Sequence, residues 1–214
     1  MAGKTKRITT TAMLCAIAYV VVVVGRIPVV LFLKYDPKDI IITLGGLIWG
    51  PMTSFIVSVI VSLIEMMTIS ENGVLGCIMN IISTCSFACT ASVIYKKKRT
   101  LPGAVTGLVM GSLMMVLVML LWNYLITPIY MGYPREAVAE LLIPAFLPFN
   151  LLKSGLNAGF TFLLYKPVTT ALRKAGYISG SQNMQGRKPV GLWMLSGVIV
   201  ITCILLILSL NGIL

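Results

Sequence analysis

An all-α membrane protein, six helices in one bundle with a seventh helix added at the C-terminus, is the fold this sequence predicts, and three observations carry that prediction. The chain is 58% hydrophobic and 11% charged, with a mean hydropathy of +0.98, far from the balance of a water-soluble domain. Its apolar residues fall in runs near the ~20 residues needed to cross a bilayer, separated by Gly, Pro and charge. Its basic residues sit in short clusters between those runs. The formal charge of +11 is therefore explained by positive-inside topology, without a nucleic-acid partner.

The first run, residues 8–25, follows Lys4, Lys6 and Arg7 and ends at Gly25-Arg26-Ile27-Pro28. It lacks a small-x-small cleavage site before polar sequence, so it reads as a retained helix rather than a signal peptide. Ala12 and Ala16 stand four apart on it, a small-residue face suited either to packing within the bundle or to a second protein. Residues 26–38 read as a loop with an apolar middle. Asp36 suits an N-cap, Pro37 a first helical position and Asp39 a first-turn acid, so a second helix is expected to begin there. Gly50-Pro51 ends it after about 13 apolar residues, roughly 20 Å at ~1.5 Å per residue. Such a helix is too short for a ~30 Å core and must be embedded among its neighbours.

The third helix is expected from Pro51 to about Ile69, with Glu65 late in it, followed by a turn at Ser70-Glu71-Asn72-Gly73. The fourth runs over 74–95, carries Asn80 and stops at Lys96-Lys97-Lys98-Arg99. The fifth starts after Pro102, has Gly103, Gly107 and Gly111 as a packing ridge, and is expected to end near Trp122-Asn123-Tyr124. Residues 126–147, interrupted by Pro128, Pro134 and Pro144, suit a short interfacial helix. Pro148 is then expected to open a sixth helix that ends at Arg173 and Lys174. The expected divisions are a bundle over 1–175, a polar cytoplasmic linker over 176–189 and an added apolar helix over 190–214.

A cytoplasmic N-terminus places twelve basic residues on cytoplasmic flanks and leaves five elsewhere (Arg26, Lys34, Lys38, Arg135, Lys153), which sets the orientation. All six acids then lie in or towards the outer half. Asn123 and Tyr124, Asn150 and Lys153, and the loop from Lys34 to Asp39 reach one depth, with Glu65 and Asn80 nearby. Asn150, Lys153, Ser154 and Asn157 share one helical face. A cationic side chain facing lipid would cost at least ~2.5 kcal/mol, so that stripe must face the interior. The asparagines match the donor–acceptor edge of a neutral heterocycle, Lys153 can donate to a carbonyl, and Tyr35, Trp122, Tyr124, Tyr130 and Phe149 offer aromatic surface. Interhelical bonding among the same residues, with Lys153 paired to Glu65, is the simpler alternative.

The five cysteines lie inside apolar segments with no CxxC pair, and the chain has no histidine. They read as packing residues, and no metal site is expected. There is no phosphate-binding GxxxxGK[ST] loop, so any transport must borrow its energy from partners or a gradient.

Lys34-Tyr35-Asp36-Pro37-Lys38-Asp39, Gly45-Gly46 to Gly50-Pro51, Asn123-Tyr124 to Pro128-x-Tyr130, and Pro148-Phe149-Asn150-Leu151-Leu152-Lys153 together resemble the riboflavin-binding S component of energy-coupling factor (ECF) vitamin transporters. The resemblance covers roughly residues 8–175. It implies a six-helix, multi-pass subunit of the bacterial cell membrane that captures riboflavin from outside as transport substrate, needs no cofactor, and docks on a transmembrane T component driven by two ATPases. It turns Ala12 and Ala16 into the T-component docking face. It implies flavin contacts at Asn123, Asn150 and Lys153, with the loop at Tyr35 and Asp36 as a lid; Glu65 and Asn80 are added from their position in the bundle. Other readings are an S component for thiamine, biotin or folate, a ligand-free membrane interaction protein, and an intramembrane enzyme using Glu65 with Lys153.

Overall fold

The computed structural model describes residues 2–30, 33–70, 72–177 and 190–210. Glu71 and most of the linker, 178–189, lie outside the described residues, as does the side chain of Tyr130. The protein is an all-α membrane bundle with little sheet. Among the described residues, windows in α1 (Ala2–Gly25), α3 (Pro51–Thr68), α4 (Gly73–Lys97), α5 (Leu101–Met131) and the continuous rod over Arg135–Lys174 are long and apolar enough to cross a membrane.

The short second helix is α2 (Lys38–Trp49), buried along nearly its whole length. Its 12 residues rise ~18 Å, so neighbours must surround it on every side. Glycine permits this. A Cβ on Gly46 would run into the hydroxyls of Ser54 on α3 and Ser92 on α4, and one on Gly45 would lie 2.8 Å from Leu14 on α1. Gly50 then turns the chain into α3 at φ 105°, a left-handed value that suits glycine.

Four local expectations are corrected. The segment before α2 is a β-hairpin, β1 (Ile27–Val30) antiparallel to β2 (Leu33–Tyr35), with a register shift between Pro28 and Val30 where proline has no N–H to give the ladder. Asp36 does not cap α2, because its carboxylate accepts from Arg26 Nε at 2.7 Å instead. Helix α5 does not stop at Tyr124 but passes through Pro128 to Met131, ending on the left-handed Gly132. Nor does Pro148 open a separate helix. α6 (Arg135–Leu141) runs through a π-helical turn, Leu142–Phe146, into α7 (Leu147–Lys174).

α4 and α5 meet backbone to backbone, since a Cβ at Gly107 or Gly111 would stand 2.7 Å from the carbonyl oxygen of Ala91 or Phe87. α8 (Val190–Leu210) packs along α7, where a Cβ on Gly159 would come 2.7 Å from Val200. Ile207 of α8 reaches a core cluster with Val29, Leu33 and Tyr35 of the hairpin and Phe149 of α7.

Candidate functional site

The ends of α1, α2 and α7, the late turns of α3 and the early turns of α4 meet the hairpin in one polar region. Two buried lysines lie there and are used differently. Lys38 donates to both oxygens of Glu65, at 2.5 and 2.6 Å, and Glu65 is fully buried. Arg26 Nη2 and Asn80 Nδ2 complete the shell of Glu65 at 3.3 and 3.1 Å. Lys153, on α7, stands 3.5 Å from Asp39 Oδ2. The alternative in which Glu65 holds Lys153 is thereby corrected, because Lys38 is the closer base to Glu65 and Asp39 the closer acid to Lys153.

Asp39 is itself fully buried and bonded by neutral donors. Thr84 Oγ1 donates to Oδ1 at 2.6 Å and Asn157 Nδ2 to Oδ2 at 3.2 Å. Tyr35 donates its hydroxyl to Asn157 Oδ1 at 3.1 Å. Burial, reinforced by the charges of Asp39 and Asp36, pushes the Tyr35 phenol far above its ordinary value, so it remains a neutral donor. Asp36 is governed by opposed effects: burial alone would raise it, but Lys38, Lys153 and Arg26 outweigh that and hold its carboxyl below the usual range. Arg26 thus pins the two ends of the hairpin together and ties them to α3 through Glu65.

Beside this network lies a cavity of about 80 Å³. Hairpin residues Leu33 and Lys34, with Asp36 just after them, form one wall; Asn72, Met79, Asn80 and Ser83 line it at the α4 side; Met119 and Asn123 come from α5, and Phe149, Asn150 and Lys153 from α7. The two asparagines are arranged alike. Thr127 donates to Asn123 Oδ1 at 3.0 Å, and Asn150 donates its Nδ2 to the Phe146 carbonyl at 2.8 Å, in each case within one helical turn. That leaves Asn123 Nδ2 and Asn150 Oδ1, one donor and one acceptor, buried without a partner among the described residues, as is Ser83 Oγ in the same lining. Buried polar groups are rarely left so, and each costs about 1–3 kcal/mol if it stays unsatisfied.

Residues 6–165 match the family described as the ECF transporter substrate-specific component. The chain belongs to that family. The riboflavin transporter RibU of Staphylococcus aureus (strain TCH60) is 28% identical over 178 residues, which cover 79% of this chain and 93% of that relative. The riboflavin transporter FmnP of Bacillus subtilis (strain 168) is 27% identical over 163 residues, covering 70% of this chain and 85% of the relative. A solved S component of a bacterial ECF transporter superposes with a TM-score of 0.68 at 28% identity, over 79% of this chain and 99% of the solved one. A family of transporter components leaves no place for the intramembrane-enzyme reading.

In this S component the residues singled out by sequence separate into two groups. Asn123, Asn150, Lys153, Asn80 and Asp36 line the cavity together. Tyr35 and Glu65 do not, because Tyr35 turns into the core toward Asn157 and Glu65 is enclosed by Lys38, Arg26 and Asn80. Of the aromatic residues, Phe149 lines the cavity, Trp122 packs into the α4–α5 cluster, and Tyr124 lies under Arg135 at 5.8 Å. Sequence reasoning passed over Arg26, Asp39 and Thr84 as partners in the network. Arg26 and Asp39 were visible as charges between apolar runs, whereas nothing distinguishes Thr84 from the other hydroxyls of α4. Ala12 and Ala16 are exposed and line a separate apolar groove of about 610 Å³ between α1 and α3, with Ile8, Cys15, Ile56 and Ile60.

Proposed function

We propose that this S component is the riboflavin-binding subunit of an ECF-type importer, taking the vitamin from outside and delivering it through a T component and two ATPases. The observation that carries the reading is the unpartnered pair, Asn123 Nδ2 and Asn150 Oδ1, lining one cavity with the Lys153 ammonium. The pyrimidine edge of an isoalloxazine offers carbonyl acceptors beside an N–H donor, which is the complement of that set. Relatives named as riboflavin transporters support the same cargo. Small-molecule pockets usually enclose roughly 300–1,000 Å³, so a cavity of about 80 Å³ must widen on ligand entry. The hairpin is the wall that moves, a lid carrying Leu33, Lys34 and Asp36.

Titrating riboflavin fluorescence with purified protein tests the cargo. Strong quenching at micromolar concentration, resistant to thiamine, biotin and folate, is expected; no quenching, or displacement by one of those vitamins, overturns it. On this reading the N-terminus is cytoplasmic, residues 1–175 are the vitamin-binding bundle, 176–189 a linker and 190–214 an added helix. The exposed groove at Ala12 and Ala16 supports a T-component docking face. Leucine at either position is expected to abolish cellular uptake with vitamin binding intact, and normal uptake in both variants removes the assignment.

A further inference from the structure

A first-turn acid can act on a helix N-terminus from the protein surface. Asp39 is instead at 0% exposure, where an ionised carboxylate is tolerated only if it is paired and hydrogen-bonded. Its bonds come from two elements besides its own: Thr84 of α4 holds one oxygen and Asn157 of α7 the other, while the hairpin's Tyr35 holds Asn157. Every one of those donors is neutral. The cation nearest to it, Lys153, stands at 3.5 Å, beyond the usual 2.7–3.2 Å of an N–H···O bond.

Comparison with Lys38 gives this spacing its meaning. Lys38 is 1% exposed, does not line the cavity, and is held by Glu65 at hydrogen-bond distance on both oxygens. Lys153 lines the cavity and has a counter-charge within ion-pair range, yet it is not drawn onto that charge. Thr84 and Asn157 anchor the Asp39 carboxylate to α4 and α7. The ammonium therefore keeps a neutralising partner behind it and can direct its protons forward.

We propose that Asp39 is the positioning residue for Lys153. Fixed by Thr84 and by the Tyr35–Asn157 pair, its carboxylate keeps the ammonium charged and aimed at a carbonyl oxygen of the bound ligand, without itself touching that ligand. Through Tyr35 the same chain of bonds makes the aim of Lys153 depend on a seated hairpin. The inference rests on the riboflavin-binding reading and adds a residue to it.

The test is a double-mutant cycle on the full chain in detergent, with riboflavin dissociation constants measured by fluorescence quenching for the wild type, Asp39→Asn, Lys153→Met and the double variant. Each single change is expected to weaken binding by about tenfold or more, the scale of one lost charge-assisted contact. Asp39→Asn is expected to add nothing once Lys153 is gone. Equal losses in both backgrounds mean that Asp39 serves the fold alone, and they overturn the proposal. Thr84→Val, which removes a single hydroxyl, runs through the same cycle and decides the question if Asp39→Asn does not fold; a smaller loss that vanishes with Lys153→Met is expected, and an additive one overturns the proposal. A wild type that fails to bind riboflavin rejects the cargo itself, a result distinct from either form of additivity.

Discussion

Near the hairpin, the helices are joined by long charged side chains that reach one another across the gaps; along the α4–α5 seam they are joined by having no side chains in the way. Arg26, Lys38 and Glu65 link α1, α2 and α3 near the hairpin, whereas at Gly107 and Gly111 one backbone lies against the carbonyls of another. The two solutions leave different freedom. Close backbone packing fails if a single methyl is added, whereas ion pairs can re-form after a movement of an ångström or two. The hairpin proposed as the lid belongs to the ion-paired side, and α5, which carries Asn123, belongs to the close-packed seam.

Unpairing the buried charges is expected to have the largest effect. Glu65→Leu leaves Lys38 buried without its carboxylate and is expected to destabilise the protein by about 3–5 kcal/mol, while Lys38→Met with Glu65→Leu recovers most of that loss. Thermal unfolding in detergent measures both; a double variant no better than the single would mean that the pair does more than neutralise itself. On the seam, Gly111→Leu has no such rescue by charge and is expected to cost about 1–3 kcal/mol by overpacking, more if α5 cannot shift. The check is again the unfolding midpoint. Asn150→Ala and Asn123→Ala touch neither form of joining and are expected to lower riboflavin affinity by about 1–3 kcal/mol with little change in melting temperature.

The smallest expected effect is on acidification. Asp36 has its folded value lowered from 3.8, so its contribution to stability is present above the unfolded value and is lost as pH falls through the lower folded one. Stability is therefore expected to decline below about pH 4, and Arg26→Gln, which removes the partner at 2.7 Å, is expected to flatten that decline. An unchanged profile in Arg26→Gln would show that other carboxylates dominate it.

Much of the helical frame was legible because membrane helices announce their ends with Pro, Gly and charge. α3 begins at Pro51 and α8 spans Val190–Leu210, at the positions read from composition. Asn123, Asn150 and Lys153 were legible for a related reason: a polar group inside an apolar run must face something. The pairing was not. Three acids and three bases lie within reach of one another, and only packing decides that Lys38 meets Glu65 while Lys153 meets Asp39. Asp36 misled because a capping position and an ion-pair position look alike in sequence, and Arg26, ten residues away, outcompeted the helix end. Proline misled at 128 and 148 because a membrane helix can re-satisfy the groups that proline frees. The hairpin, with strands of four and three residues, is too short to show a period.

Six ion-paired groups around the hairpin, Arg26, Lys38 and Lys153 with Asp36, Asp39 and Glu65 among the described residues, sum to zero formal charge. Moving one elementary charge across a membrane takes about 2.3 kcal/mol per 100 mV, so a balanced cluster that shifts as a unit carries no net charge through the field. Voltage then neither drives nor resists that shift, and the same holds when the subunit carries an uncharged cargo; only reorientation of the cluster's own dipole couples it to the field. Neutralising one member, as in Lys153→Met, does more than remove a contact: it gives the cluster a net charge and makes its movement answerable to the membrane potential.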